Sequence, residues 1–381
     1  MPMLKPIEPV GCSAALRACQ NMMHVFALWL CQPTTRAAQL TAADLQTLPL
    51  SLEESRWLWG FLNKKLNRHK LLERAAHLAE LNDTQKDRLR DWINATSRIG
   101  RYFEAAPIAP AMPVGYPFAG DPYAKAHQKN LQDLMEAFYN KGLKDGLPYL
   151  ADGTPTGERS SLLKYQHFCD SFLALHKGDK DQDARHVCVM CGGELRNVEV
   201  DHWIPKSAYP LLAVCAENLV PICGECNGPQ NKAAHPVHSG GSFEEWFHPY
   251  RRNPAGTLKL EFNDTKLSVM LKSTRAADAQ RVHNLNRLLH LEDRWTRELK
   301  GENRKLYKSI LTRQRKNDAP TTTQSLYQQV KDWTNGLSQT EPNYEVHQAL
   351  AKALCDPRRI AAWKRDLDDA WNEDRKKPLT T

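Results

Sequence analysis

The spacing of apolar residues predicts a chain that is mainly helical. In residues 12 to about 105, Leu58, Phe61, Leu62 and Leu66 recur at the three- and four-residue intervals of one helix face. Asp83-Thr84 offers a helix start before the segment 85–103. Further helical patterns cover roughly 123–143, 160–176, 274–292, 294–316, 322–337 and 343–372.

Alternation of apolar and polar residues predicts a few short strands. Val198 to Val200 alternates in this way, and Pro205 ends the pattern. The segments 258–262 and 266–270 also alternate, and Asn263-Asp264 lies between them, which is typical of a β-hairpin. The fold class we predict is therefore mainly α, with one β-hairpin and a small embedded module around residue 200.

A change of composition divides the chain. Five prolines, at 107, 110, 113, 117 and 122, exclude a regular helix or a central strand and indicate a connector. Residues 186–250 concentrate cysteine, histidine, proline and tryptophan and lack long helical periodicity. The predicted regions are a helical domain at 1–106, a connector at 107–122, a helical segment at 123–185, a cysteine- and histidine-rich module at 186–250, and a β-hairpin with helices at 251–381.

Bulk composition narrows the class of protein. The 381 residues are 41% hydrophobic and 25% charged, which excludes wholesale disorder, and the net charge of +8 suits a polyanionic partner. The apolar segment 12–31 is interrupted by polar residues, Arg17 and His24 among them, and falls short of a membrane span. We expect no membrane insertion and a cytoplasmic location.

Four of the ten cysteines stand in two C-x-x-C pairs. These are Cys188 with Cys191 and Cys223 with Cys226, whereas the other six are scattered singly. Such pairs in a chain without a secretory segment indicate a metal site rather than a disulfide framework. Four thiolates form the closed tetrahedral set of a structural zinc, whose binding energy replaces the core that a module of ~60 residues lacks.

The interval between the pairs contains Asp201-His202. Hydrolysis of a phosphodiester needs a base that activates water and a hard cation that neutralises developing charge. A neutral imidazole suits the first task, and a carboxylate suits Mg²⁺ or Mn²⁺. A second oxygen ligand must come from elsewhere, and Asn227 directly follows the last cysteine.

The order C-x-x-C, D-H-x-x-P-x-S, N-L, C-x-x-C-N resembles the zinc-bearing HNH (ββα-metal) endonucleases in their H-N-N variant, over about 50 residues. The resemblance implies that His202 is the general base and Asp201 a ligand of the catalytic metal. It implies further that Asn218 braces the loop between the two strands and orients the histidine. Asn227 would supply the second metal ligand.

The chain departs from the family after the last cysteine. The family often has a lysine three residues after the final Asn or His, but here Gln230 holds that place and Lys232 follows two residues later. We expect Lys206, Lys232, Arg251 and Arg252 to contact nucleic acid. His235 and His238 lie close in sequence, and no role is assigned to them.

The part after the module is similar to HNH proteins of bacterial anti-phage cassettes, of the Septu and retron type and of Zorya type II. The similarity lies in the hairpin, the run Ala279 to Asn286, Leu289 and Arg294. It implies a role in defence alongside partner proteins.

Together these features predict a DNA endonuclease that nicks one strand per active site. Two alternatives remain: a zinc-stabilised module that binds nucleic acid or protein without catalysis, and an HNH enzyme that cleaves RNA. Nothing in the sequence excludes RNA as the substrate.

Overall fold

The computed structural model describes residues 7–104, 110–176, 186–263 and 267–376. Within these ranges the chain is mainly helical, with three two-stranded antiparallel sheets, which confirms the mainly α fold class. The described residues form two compact units. One consists of residues 7–104, 110–176 and 197–253. The other consists of residues 186–196, 254–263 and 267–376.

The first unit is built on helices whose starts are fixed by side-chain caps. Ser51 Oγ accepts the amide of Glu54, whose carboxylate accepts the amide of Ser51, and Asn82 and Gln85 repeat this exchange. The helices are α1 (Ser13–Leu30), α2 (Ala42–Leu45), α3 (Leu52–Leu62), α4 (Leu71–Ala79), α5 (Asp83–Thr96), α6 (Ala124–Ala137) and α7 (Tyr165–His176). A short hairpin, β1 (Lys65–Leu66) with β2 (His69–Lys70), joins α3 to α4.

The helix α1 lies in the core of this unit. Leu16, Cys19, Met22 and Phe26 are each completely buried, at the spacing of one helix face. That burial accounts for the apolar character of segment 12–31. In the part of the chain that the structure describes, no helix is both long and apolar enough to cross a membrane.

A β-hairpin with a long loop carries the predicted catalytic residues. Strand β3 (Val198–His202) pairs antiparallel with β4 (Leu219–Cys223), so that Asp201 lies opposite Val220 and His202 opposite Leu219. Residues 224–257, all of them described, form turns and isolated bridges and contain no helix. The helix expected of a ββα module is therefore missing. Pro229 and Pro236 lack the backbone donor that a helix interior needs, and glycines 224, 228, 240 and 241 disfavour a helix entropically.

The second unit contains the remaining hairpin and five helices. Strand β5 (Leu258–Asn263) pairs with β6 (Ser268–Ser273), which confirms the predicted hairpin, although residues 264–266 of its turn lie outside the described residues. The helices are α8 (Ala279–Leu289), α9 (Leu291–Lys316), α10 (Thr323–Asn335), α11 (Tyr344–Leu354) and α12 (Pro357–Lys376).

Two helix boundaries in this unit differ from the predicted segments. The chain turns between α8 and α9 at His290, which adopts a left-handed conformation with φ of 49°. The segment predicted as one helix at 343–372 consists of two helices, and Pro357 is the first residue of the second. Proline suits the first position of a helix, because an N–H at that position has no acceptor within the helix.

Candidate functional site

The four paired cysteines lie together in a cluster that could hold a metal ion. The sulphur atoms of Cys188, Cys191, Cys223 and Cys226 lie within 4.8 Å of one another, and all four residues are buried. Four sulphurs at about 2.3 Å from a tetrahedral ion are close enough to one another for this spacing to fit zinc. A four-cysteine cluster that could hold a metal such as zinc is thus present.

Each C-x-x-C pair is shaped by backbone amides that face sulphur. The amide of Gly193 donates to Cys191 Sγ, and the amide of Cys226 donates to Cys223 Sγ. The nitrogen–sulphur distance is 3.4 Å in both cases. Gly192 closes the first turn with a φ of 71°, a conformation that a side chain would strain. Donors aimed at sulphur stabilise the thiolate form that metal binding requires.

Asp201 lies near the end of β3 and is almost completely buried, with 4% exposure. Burial raises the pKa of its carboxyl, and the neighbouring Lys232 ammonium opposes that rise. Within the described residues, Oδ2 of this carboxylate has an ion-pair contact with the Lys232 ammonium at 3.5 Å and no closer hydrogen bond. A carboxylate oxygen without a closer donor is a suitable ligand for a divalent cation, which would compete with Lys232 for it.

His202 is held by a backbone carbonyl. Its Nε2 lies 2.9 Å from the oxygen of Ala213. A carbonyl only accepts, so Nε2 must carry the proton, and Nδ1 keeps its lone pair. Burial, together with the nearby Lys206 charge, lowers the pKa of His202 to about 3. The imidazole is therefore neutral at pH 7.

Asn218 braces the loop that carries His202. Its Oδ1 accepts the amide of Ile204 at 2.7 Å, and its Nδ2 donates to the carbonyls of Ile204 and Leu212 at 2.9 and 3.2 Å. The side chain is fully buried. Leu212 directly precedes Ala213, so Asn218 fixes the same stretch of backbone that accepts the His202 proton. The sequence resemblance implies a bracing role for Asn218, and that role stays a prediction.

Asn227, predicted as the second ligand of the catalytic metal, forms a hydrogen bond with an acidic residue of β3. Its Nδ2 donates to Glu199 Oε2 at 2.7 Å. Glu199 precedes Asp201 by two residues on β3, so the two acidic side chains share a face of the strand. The bond to Glu199 uses the nitrogen of the Asn227 amide and leaves its oxygen available as a ligand.

Lys232 lies inside the protein, where it cannot reach a nucleic acid. The side chain has 0% exposure, and its ammonium lies 3.5 Å from Asp201 Oδ2. The same group donates to the carbonyl of His202 at 3.2 Å and lies 5.7 Å from the centre of the Trp203 ring. The two-residue displacement of this lysine in the motif therefore leads to an internal ion pair with Asp201.

The other three predicted nucleic-acid contacts also have intramolecular partners. Lys206 is half-buried, with its ammonium 4.5 Å from the centre of the Tyr139 ring and 3.1 Å from Asn140 Oδ1. Arg251 forms a bidentate ion pair with Glu217. The Arg252 guanidinium donates to the carbonyl of Phe243 at 2.6 Å.

Sequence reasoning missed Tyr139 as part of the site. Its ring packs edge-on against the His202 imidazole, with centroids 4.5 Å apart, and thereby covers the catalytic candidate. Tyr139 lies more than sixty residues upstream, in the π-helical turn Phe138–Leu143 that follows α6. No local motif connects it to His202, and the contact arises from the tertiary fold alone.

A second group of metal-ligating atoms lies in the other unit. Glu298, Glu302 and His347 each offer one atom within 4.8 Å of the others. His347 Nε2 already bonds Glu298 at 3.0 Å, and Lys305 pairs with Glu302 at 3.1 Å. The group is thus accounted for by internal pairing.

Comparison with known proteins gives one partial likeness. No family model and no solved structure matches the chain. The Septu protein PtuB of Bacillus thuringiensis is 32% identical to it over 111 residues, which are 28% of this chain and 40% of PtuB. The chain thus matches less than half of this curated relative. The likeness supports the resemblance to Septu proteins and leaves the HNH assignment untested.

Proposed function

We propose that this chain is a metal-dependent endonuclease of the HNH type that cuts DNA, and that it acts in bacterial anti-phage defence. The observation that carries the proposal is the pair Asp201-His202 at the end of β3, with the imidazole tied to Ala213 and its loop braced by Asn218. The likeness to a Septu protein supports the role in defence and the presence of partner proteins.

The two implied metals have different tasks. Zinc, held by the four cysteines, would join the C-x-x-C turns and have no open position for chemistry. A Mg²⁺ or Mn²⁺ ion, held by Asp201 Oδ2 and the Asn227 amide oxygen, would neutralise charge on the scissile phosphate and the leaving 3′ oxygen.

His202 is the proton acceptor in this mechanism. Because Nε2 donates to Ala213, the lone pair on Nδ1 takes a proton from the attacking water. The bond to Ala213 also keeps the ring in one tautomer and orientation. Burial lowers the pKa of His202 and so keeps the ring neutral and able to accept a proton at pH 7.

The test is cleavage of supercoiled plasmid by the purified full-length chain. We expect nicking with Mg²⁺ or Mn²⁺, none in EDTA, and none from His202→Ala, which should keep the wild-type circular dichroism spectrum and zinc content. His167→Ala, an exposed histidine on α7, serves as the matched control and should cut normally. Cleavage by His202→Ala at the wild-type rate would refute the mechanism.

A specific observation favours a second candidate, a zinc-stabilised binding module without catalysis. Lys232 neutralises Asp201 internally, and no helix follows β4 within residues 224–257. Retention of DNA in a mobility shift without nicking under any metal would support this candidate. A parallel assay on single-stranded RNA distinguishes the third possibility, an RNA-cleaving HNH enzyme.

A further inference from the structure

A cavity of about 590 Å³ opens beside α4 and α5, in the unit formed by 7–176 and 197–253. Its size is that of a pocket for a small organic molecule or a single side chain. Glu73, His77, Glu80, Tyr123 and His127 are among the ten residues that line it.

Three titratable side chains lie in contact in series beside this cavity. His77 Nε2 lies 2.8 Å from His127 Nδ1, and His127 Nε2 lies 3.4 Å from Asp121 Oδ1. Gln85 donates its amide to the other oxygen of Asp121. His127, the middle member of the series, is 7% exposed and is therefore shielded from solvent.

The hydrogen bond between the two rings decides the tautomer of His77 when both imidazoles are neutral. The Asp121 carboxylate only accepts, so a neutral His127 directs its Nε2 proton towards Asp121 and accepts at Nδ1. The bond between the two rings therefore takes its proton from His77 Nε2. His77 Nδ1 is left as a lone pair, and burial together with His127 lowers the pKa of His77 and favours this neutral form.

The charges around the cavity have one sign. Glu73 and Glu80 line it, whereas none of its ten lining residues is lysine or arginine. Arg74, which lies on α4 between these acids, is paired with Asp133 at 3.1 Å and bonds Asn130. Glu80 Oε1 accepts a hydrogen bond from the amide of Ala37. Among the described residues, no donor forms a hydrogen bond with Glu80 Oε2. Glu73 accepts the amide of Lys70 and pairs with His69. The acceptor and the negative charge that the wall leaves open are therefore those of Glu80.

We propose that this cavity binds an organic cation rich in N–H donors, of the guanidinium or ammonium class. The cation donates to His77 Nδ1 and the Glu80 carboxylate, and Tyr123, which is 69% exposed, offers a ring face for a cation–π contact. The site is separate from Asp201-His202 and independent of nuclease activity. Such a cation comes either from a free small molecule or from an arginine side chain of a partner protein.

The experiment is calorimetric titration of the full-length protein with arginine and with citrulline, the neutral isostere of arginine. We expect arginine to bind at least roughly tenfold more tightly, because only its guanidinium is charged. N-acetyl-arginine amide distinguishes the sources: it binds as well as arginine if the cavity takes a side chain, and poorly if it takes the free amino acid.

Variants assign the binding to the cavity. Glu80→Gln keeps the acceptor for Ala37 but removes the charge, and His77→Phe removes the lone pair. Each should weaken arginine binding by roughly tenfold. His167→Phe, at an exposed position on α7, should leave arginine binding unchanged. Equal binding of arginine and citrulline, or unchanged binding by Glu80→Gln with native circular dichroism, overturns the proposal.

Discussion

The ammonium nitrogen of Lys232 lies 3.5 Å from Oδ2 of Asp201, and both side chains are almost completely withdrawn from solvent. The positive charge therefore lies beside the oxygen that the proposed mechanism gives to a divalent cation. Burial lowers the pKa of Lys232 while Asp201 opposes this shift, so each partner stabilises the charged form of the other. Removal of either partner leaves a buried charge without compensation.

Lys232→Met tests this ion pair. We expect the free energy of unfolding to fall by about 3 kcal/mol, because Asp201 loses its counter-charge in a buried site. Asp201→Asn should have a similar effect, and the double variant should recover part of the loss, as urea denaturation will measure. Under the proposed function, Lys232→Met also binds Mn²⁺ more tightly by electron paramagnetic resonance, because a competing cation is gone. Lys164→Met, at an exposed position, is the control, and additive losses in the double variant would contradict the pairing.

Asn218→Ala should destabilise the loop between β3 and β4. The change removes three buried hydrogen bonds and leaves backbone groups of Ile204 and Leu212 unsatisfied, for a loss of about 3–5 kcal/mol. Chemical denaturation measures the loss. Asn335→Ala, at an exposed position in the other unit, should change stability by less than about 0.5 kcal/mol. A loss below about 1 kcal/mol for Asn218→Ala would show that the bracing is weak.

If the four-cysteine cluster holds zinc, substitutions inside and outside the cluster should affect zinc content differently. Cys188→Ser removes one of four ligands and should lower both zinc content, by mass spectrometry of the metal, and the melting temperature. Cys215→Ser changes a buried thiol that lies outside the cluster, and this variant should keep one zinc per chain. Equal zinc content in the two variants would exclude the cluster as the metal site.

Buried histidines predict a loss of stability in acid. The folded pKa values of His202 and His248 are lowered by burial to about 3, against about 6.5 in the unfolded chain. The unfolded chain therefore binds more protons in this window. The contribution of these two histidines to the free energy of unfolding is fully present above about pH 6.5. It declines as the pH falls towards 3.

His248→Asn isolates this effect. His248 Nδ1 accepts two backbone amides, which an asparagine oxygen can still approach. Between pH 7 and pH 5 the free energy of unfolding of the wild type should fall by about 2 kcal/mol more than that of the variant. The reason is that the variant lacks the imidazole that takes up a proton when the chain unfolds. Urea denaturation at both pH values measures the difference, and zinc loss in acid affects both proteins alike. Parallel slopes for the two proteins would disprove the assignment.

The sequence by itself determined the parts of this protein that depend on local pattern. The helical patterns at 123–143, 160–176, 274–292, 294–316 and 322–337, the alternation in β5 and β6 and the two C-x-x-C pairs were visible along the chain, because each depends on residues within a few positions of one another. The break between α11 and α12 was not predicted. Asn82 likewise lies just before a predicted helix start that the structure places at Asp83.

The tertiary structure decided what surrounds Asp201 and His202. Lys232 was expected to reach nucleic acid, but it lies buried against Asp201, and Tyr139 covers the His202 ring from a distant turn. These contacts join residues thirty or more positions apart, and no local period encodes them. Whether a lysine faces solvent or a carboxylate depends on the balance of desolvation and ion pairing in the folded chain, which only the packed structure sets.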